Sequence, residues 1–317
     1  MKNEAPDGAR SVLVTGGGRG IGRATSLLCA ARGWAVAVNY AHDAAAAESV
    51  VAAIRSTGGQ AIAVRADVAS DAEVIAMFAA IDRALPPLAG LVNNAGVVDL
   101  VGRVDTMTPA RLQRMFAINV FGSFFCAREA ILRMTTKPAE GASRGAHAGG
   151  AIVNVSSAAA KLGGAGEWVD YAAAKGGIES FTIGLAKELA GEGIRVNAVR
   201  PGIIETEIHA SGGNPDRVEK NLGLATDAAR RHGRGSRRSD PFPALRRRQL
   251  HHRFDPRSHR RPLSEGSRAD AAGSVPLDDE RHQTDRLADP GRRTLRLVAA
   301  GVRAGLDAEQ SRIAEGR

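Results

Sequence analysis

Six short apolar runs, separated by segments too long to be hairpin turns, most limit how this chain folds. They lie at residues 11–15, Ala35–Tyr40, Ala61–Arg65, 91–92, 151–155 and Ile194–Val199. Each carries apolar residues on consecutive positions, the mark of strands buried on both faces. Helical periodicity fills the gaps. It runs from the glycine-rich residues 16–22 through Ala31, over Ala44–Ser56, Asp71–Ala84 and Pro109–Met134, and over residues 171–190. Strand–helix alternation of this kind implies an α/β fold, a doubly wound parallel sheet of the Rossmann-like type with six strands. Ligands of such sheets bind beyond the carboxyl ends of the strands.

The stretch TGGGRGIG, Thr15 to Gly22, sits where the first strand enters the first helix. Gly16 permits a tight turn, Gly20 lets a diphosphate approach the backbone, and Gly22 is expected to let helix pack on sheet. The N–H groups at the start of that helix, from Gly20 and Ile21 onward, suit an anion. The second strand ends VAVNYAHD, with neutral Asn39 where an acidic residue would hold a ribose 2′-hydroxyl. With Arg19 in the loop to pair with a 2′-phosphate, NADP is favoured over NAD. The alternative is that Arg19 is a solvated loop cation and Asp43 does the acidic work. Asp67-Val68 follows the third strand and reads either as an adenine contact or, through Asp67, as a helix cap. Asn93, Ala95 and Gly96 belong to NNAG, whose backbone passes close to a cofactor at the end of strand four.

The chemistry is expected in NVSSAAAKLGGAGEWVDYAAAK, residues 154–175. Tyr171 and Lys175 stand four apart and share one helical face. A phenol titrates near ~10 in water, and a neighbouring ammonium favours its phenolate, bringing it toward useful proton exchange. Ser157, near the end of strand five, can hydrogen-bond a reacting oxygen; Ser156 is the substitute candidate. An isolated Tyr-x-x-x-Lys is an ordinary helix turn; its coincidence with the glycine turn and NNAG makes it a site.

Residues 11 to about 220 resemble a classical short-chain dehydrogenase/reductase. TGGGRGIG matches the family's TGxxxGxG, Asn93 to Gly96 its NNAG, and Asn119 in INVFG its catalytic asparagine. Ser157, Tyr171 and Lys175 match its Ser-Tyr-Lys, and RPG, with Pro201 and Gly202, its Pro-Gly turn beside the nicotinamide. One departure is the step of fourteen from Ser157 to Tyr171, where the family commonly has thirteen. The resemblance implies that Tyr171 exchanges the proton and Ser157 polarises the substrate oxygen. It implies that Lys175 assists the phenol and holds the nicotinamide ribose, that Asn119 positions a relay water, and that no metal is needed. Ile204 and Thr206 fall where the family touches cofactor. The substrate would be a small carbonyl or alcohol compound; a 3-oxoacyl thioester, a sugar and a simple ketone all remain open, with Trp168 a pocket residue. The family also implies a homotetramer or homodimer, which the altered C-terminus of this chain puts in question. A non-catalytic or impaired dinucleotide-binding remnant is the alternative function.

Charge divides the chain. Residues 1–226 hold 22 Lys+Arg against 21 Asp+Glu, whereas residues 227–317 hold 21 against 13, and every cation after Lys220 is arginine. A basic tail such as LRRRQLHHRFDPRSHRRP reads as a nucleic-acid-binding arm, but its aromatic interleaving is sparse (Phe242 and Phe254) and it holds no recognisable binding module. A frame-shifted reading explains it better. DNA able to encode residues 246–262 can, read one base later, encode Asp-Ala-Gly-Asn-Ser-Ile-Thr-Gly-Ser-Ile-Leu-Glu-Val-Thr-Gly-Gly-Arg. That is the strand and ending the family expects. Residues 226–245 likewise yield an amphipathic helix. The expected organisation is an N-terminal extension (1–10), a dinucleotide-binding catalytic domain (11–225) and an irregular, non-native tail (226–317), with impaired folding and activity. No apolar run in the sequence reaches the ~18 residues of a membrane span. Cys29 and Cys126 read as buried thiols, and with no leader in view a cytoplasmic setting is expected.

Overall fold

The computed structural model describes residues 9–137, 149–202 and Gly212. Ile204, Thr206 and the whole tail from 226, with the frame shift inferred for it, lie outside the described residues. The elements run β1 (Ser11–Val14), α1 (Gly20–Ala30), β2 (Ala35–Tyr40), α2 (Ala44–Ser56), β3 (Ala61–Arg65), α3 (Asp71–Ala84) and β4 (Leu88–Asn93). Then come α4 (Pro109–Phe116), a π-helical turn (Ala117–Phe121), α5 (Gly122–Met134), β5 (Gly150–Val155), α6 (Ala159–Leu162), α7 (Val169–Glu188) and β6 (Ile194–Val199).

All pairings are parallel and the strand order is β3-β2-β1-β4-β5-β6. The order reverses between β1 and β4, which opens a crevice at their carboxyl ends. Alternation along each strand feeds two cores. Leu13, Ala37, Leu91 and Ile152 face Phe78 of α3, Cys126 of α5 and Leu185 of α7. Val12, Val14, Val36, Val38 and Val153 join Cys29 of α1 and Val50 and Ile54 of α2 in the other cluster. The two thiols therefore sit in different cores, and burial pushes each up to about 12.

Local chemistry sets the helix starts. Ser70 caps α3 by accepting from Glu73 N, and Thr108 caps α4 ahead of Pro109. The cap of α3 is thus Ser70, not Asp67. Asp67 instead accepts from Ala69 N at 2.9 Å in a turn of its own. The helical stretch Pro109–Met134 has the length and apolarity of a membrane span, yet it buries Cys126, Ala127, Ala130 and Met134 in the domain core.

Candidate active site

The glycine turn is closed by contacts that only glycine allows. Gly16 has φ +60°, and a Cβ there would lie 3.2 Å from Ala95 Cα. A Cβ on Gly22 would lie 2.2 Å from the Gly16 carbonyl oxygen and 2.6 Å from Asn94 Nδ2. Gly22 therefore lets the start of α1 approach the turn after β1 and the residue that follows β4. Thr15 knits this turn to the end of β4: its Oγ1 donates to Val92 O and accepts from Asn94 N (2.9 Å) and Ala95 N (3.0 Å). Asn94 Nδ2 donates back to Thr15 O at 2.8 Å. Gly20, at φ +48°, opens α1, whose N-cap Arg19 makes no side-chain capping bond and whose first turn holds no acid. Ile21 is half-buried there, and the Arg19 side chain is exposed.

Asn39 does not present its amide to a ribose. It is 2% exposed; its Oδ1 accepts from Gly16 N at 3.2 Å and its Nδ2 donates to Ala66 O at 3.0 Å and Val64 O at 3.3 Å. The side chain braces the glycine turn from β2, and the chain leaves the sheet at half-buried Tyr40. Asp43 is spent capping α2 through Ala46 N. Asp67 is half-buried at the end of β3, and Val68 packs where a Cβ on Gly122 would meet it at 2.7 Å. Asn93 is likewise internal: its Nδ2 donates to Asn154 Oδ1 at 3.0 Å, and Asn154 donates on to Thr182.

Asn119 and Lys175 converge on Gly96. A Cβ on it would stand 2.7 Å from Asn119 Oδ1 and 3.4 Å from Lys175 Nζ. Asn119 lies in the π turn, fully buried, with Oδ1 accepting from Val97 N (3.2 Å) and Nδ2 donating to Val97 O (2.9 Å) and Met115 O (3.0 Å). Lys175 Nζ donates to Val155 O at 2.8 Å and stands 5.6 Å from the centre of the Tyr171 ring. Burial lowers the Lys175 ammonium from 10.5 to about 8.

The two serines divide their work. Ser156, 2% exposed, donates to Glu179 Oε1 at 2.9 Å. Ser157 is half-buried; its Oγ accepts from Ala159 N at 3.1 Å, which leaves its own proton to donate. The Pro201-Gly202 turn is held beside it, for Ala158 N donates to Pro201 O at 2.8 Å and Ser156 N to Val199 O at 2.8 Å.

Two clusters escaped the sequence reading. Glu179 takes both oxygens to Arg200, at 2.6 and 2.7 Å, and burial of its carboxyl is outweighed by these bonds and that of Ser156, so its pKa falls. Arg111 and Asp170 pair at 2.8 Å from residues 59 positions apart. Neither pair leaves a local signal in the chain.

A doubly wound sheet in this order, with a glycine turn at the reversal and a phenol beside an ammonium at the adjoining strand ends, is the architecture of a dinucleotide-dependent oxidoreductase. The comparisons agree. The short chain dehydrogenase family model matches residues 10–215. An uncharacterized oxidoreductase, YgfF, of Escherichia coli (strain K12) is 53% identical over 208 residues, 66% of this chain and 81% of that protein. A 3-oxoacyl-[acyl-carrier-protein] reductase of Synechocystis is 39% identical over 203 residues, 63% of this chain and 76% of its own. A short chain dehydrogenase of Burkholderia cenocepacia J2315, solved in complex with NADP, superposes with TM-score 0.58 at 33% identity. That match covers 65% of this chain and 77% of that one. The chain belongs to the short-chain dehydrogenase/reductase family and is an oxidoreductase of the NAD(P)-binding Rossmann fold.

Proposed function

We propose that this protein is an NADP-dependent carbonyl reductase or alcohol dehydrogenase whose chemistry is carried by Tyr171, Lys175, Ser157 and Asn119. The observation that carries the reading is the placing of Lys175 Nζ on Val155 O, beside the Tyr171 ring and next to the strand end that delivers Ser157.

The residues present fit a dinucleotide. The uncapped, acid-free start of α1 and the turn closed by Gly16 and Gly22 suit a diphosphate. Gly20 and Ile21 would offer main-chain N–H groups, with Thr15 holding the turn and Arg19 meeting a 2′-phosphate. Asp67 and Val68 would border the adenine, Ala95 and Gly96 the ribose face, and Pro201 and Gly202, followed by Ile204 and Thr206, the nicotinamide. Asn39 and Asn93 shape that pocket from inside. Bound there, the reduced cofactor supplies the hydride.

In reduction, the Tyr171 hydroxyl gives its proton to the substrate oxygen, and Ser157, its acceptor already used by Ala159 N, donates a hydrogen bond to the same oxygen. Lys175 stabilises the phenolate left behind. Asn119, its side chain committed, holds the π turn; the widened turn breaks the regular ladder and offers a main-chain acceptor to a water that returns protons from solvent toward Lys175. In oxidation each transfer reverses.

Residues 11–225 form the catalytic unit in this reading, preceded by the extension 1–10, and the tail 226–317 takes no part in the chemistry. The family match ends at residue 215, which supports that division. Exposed Phe121 and Phe124, Leu132 of α5 and Ile183 of α7 support pairing of copies into a homodimer or homotetramer. The test is consumption of NADPH against NADH with a panel holding a 3-oxoacyl thioester, an aldose and an aryl ketone. NADPH-preferring turnover of one class supports the reading; tight NADPH binding with no turnover of any would instead mark a dinucleotide-binding remnant.

A further inference from the structure

Arg111 and Asp170 form an ion pair that the reaction above does not use. The side chain of Asp170 is fully buried and that of Arg111 is 12% exposed. Arg111 Nε donates to Asp170 Oδ2 at 2.8 Å and Nη2 to Oδ1 at 3.3 Å, while Nη1 donates to Leu100 O at 2.7 Å. Asp170 Oδ1 also accepts from the main-chain N–H of Tyr171 at 2.9 Å. One guanidinium thus joins α4, the segment after β4 and the first turn of α7. The same walls are tied twice more: Gly102 N donates to Glu167 O at 3.0 Å, and the Trp168 indole N–H donates to Asp99 O.

This arrangement replaces an ordinary helix cap. Trp168, the N-cap of α7, makes no side-chain capping bond, and Asp170 is the acidic residue of the first turn. A carboxylate there meets the positive end of the helix and accepts from the Tyr171 N–H. A carboxylate beside the proposed proton donor would disfavour phenolate, however, unless a cation answered it. Arg111 is that cation.

We propose that Arg111 and Asp170 are a positioning pair for Tyr171, fixing the first turn of α7 while cancelling each other's field at the phenol. The proposal rests on the reading of Tyr171 as the proton-exchanging group. The charged groups on the elements packed here are Lys175 on α7 itself, 5.6 Å from the centre of the Tyr171 ring, Asp170 next to Tyr171 in sequence, Arg111 from α4, and Asp99 and Glu167 on the segments whose main chains are tied to Trp168 and Gly102. The hydrogen bond to Asp170 raises Arg111 above its usual range against its desolvation, so the guanidinium stays charged.

The chain has two tyrosines, so in the full-length Tyr40→Phe protein the tyrosinate absorbance reports Tyr171 alone, without any substrate. Arg111→Met is expected to raise the ionisation midpoint by about half a pH unit or more, and Asp170→Asn to lower it comparably. The Arg111→Met/Asp170→Asn double variant returns it to within about 0.2 of the parent, since neither charge remains. Arg111→Lys keeps the charge and the midpoint, and carries the test with Asp170→Asn if Arg111→Met does not fold. Single-variant midpoints that stay put, or that move in the same direction, in folded protein overturn the proposal. Failure of the Tyr171 reading itself shows separately, as NADPH turnover that survives Tyr171→Phe.

Discussion

Replacing Lys175 with methionine should make the protein more stable and inactive at once. The ammonium is buried and lowered from 10.5 to about 8. Each tenfold change in proton affinity is worth about 1.4 kcal/mol, so holding the charge inside destabilises the fold by roughly 3 kcal/mol at neutral pH. Methionine keeps most of the stem and removes the charge, but it orphans the Val155 carbonyl, which Lys175 Nζ now meets at 2.8 Å. An unsatisfied buried acceptor costs about 1–2 kcal/mol. The net gain for Lys175→Met at pH 7 is then roughly 1–2 kcal/mol, or a Tm about 3–6 °C higher for a domain of this size. The pH dependence fixes the cause. Below pH 8 lysine is protonated in both folded and unfolded chains and the full penalty applies. Between about 8 and 10.5 the folded chain sheds the proton while the unfolded chain keeps it, so the wild type gains stability as pH rises. Thermal unfolding followed by circular dichroism should therefore show the variant ahead at pH 7 and behind near pH 10, where only the orphaned carbonyl remains. A variant less stable at pH 7, or a difference that does not change with pH, would refute the reasoning.

Three further outcomes follow from the geometry. Gly22→Ala drives a methyl into the Gly16 carbonyl and Asn94; it should lose NADPH affinity by at least about tenfold and destabilise the domain by roughly 2 kcal/mol, read by fluorescence titration and thermal unfolding. Arg200→Met strips Glu179 of its main partner and should cost about 2 kcal/mol at pH 7. Because the Glu179 pKa is lowered in the fold, that stabilisation is present above its ordinary value and fades as pH falls through the lowered one, so the gap between wild type and variant should close in acid. A chain whose segment after residue 226 is restored to the alternative frame should sediment as a discrete species and turn over NADPH faster than the present chain, and equal behaviour would count against a non-native tail.

The sheet was legible because short apolar-rich runs alternate with helical segments: β2, β3 and β6 lie where the runs at Ala35–Tyr40, Ala61–Arg65 and Ile194–Val199 put them, even with Arg195 and Asn197 interrupting the last. That Tyr171 and Lys175 share a face of one helix and that Ser157 follows the fifth strand was legible too, since a helix turn and a strand end fix such spacing locally. What failed to show depends on partners distant in sequence. Asn39 was legible as a neutral residue where an acidic one would hold a ribose, but that its amide turns inward onto Gly16 and Ala66 was not. The π turn at Asn119 is held by Val97 and Met115, and a helical period alone gives no sign of it. Arg111 and Arg200 carry no local sign of their partners, since the fold alone brings Asp170 and Glu179 to them.

The central claim is that the Tyr171 hydroxyl, set beside Lys175 at the end of β5, moves the proton. Single-turnover oxidation of NADPH by the full-length chain and by Tyr171→Phe, on the carbonyl compound that the wild type reduces fastest, tests it most directly. Removal of that one oxygen should slow the hydride step by about 10²–10⁴-fold while NADPH binds as before. A phenylalanine variant that reduces the compound at the wild-type rate would contradict the account.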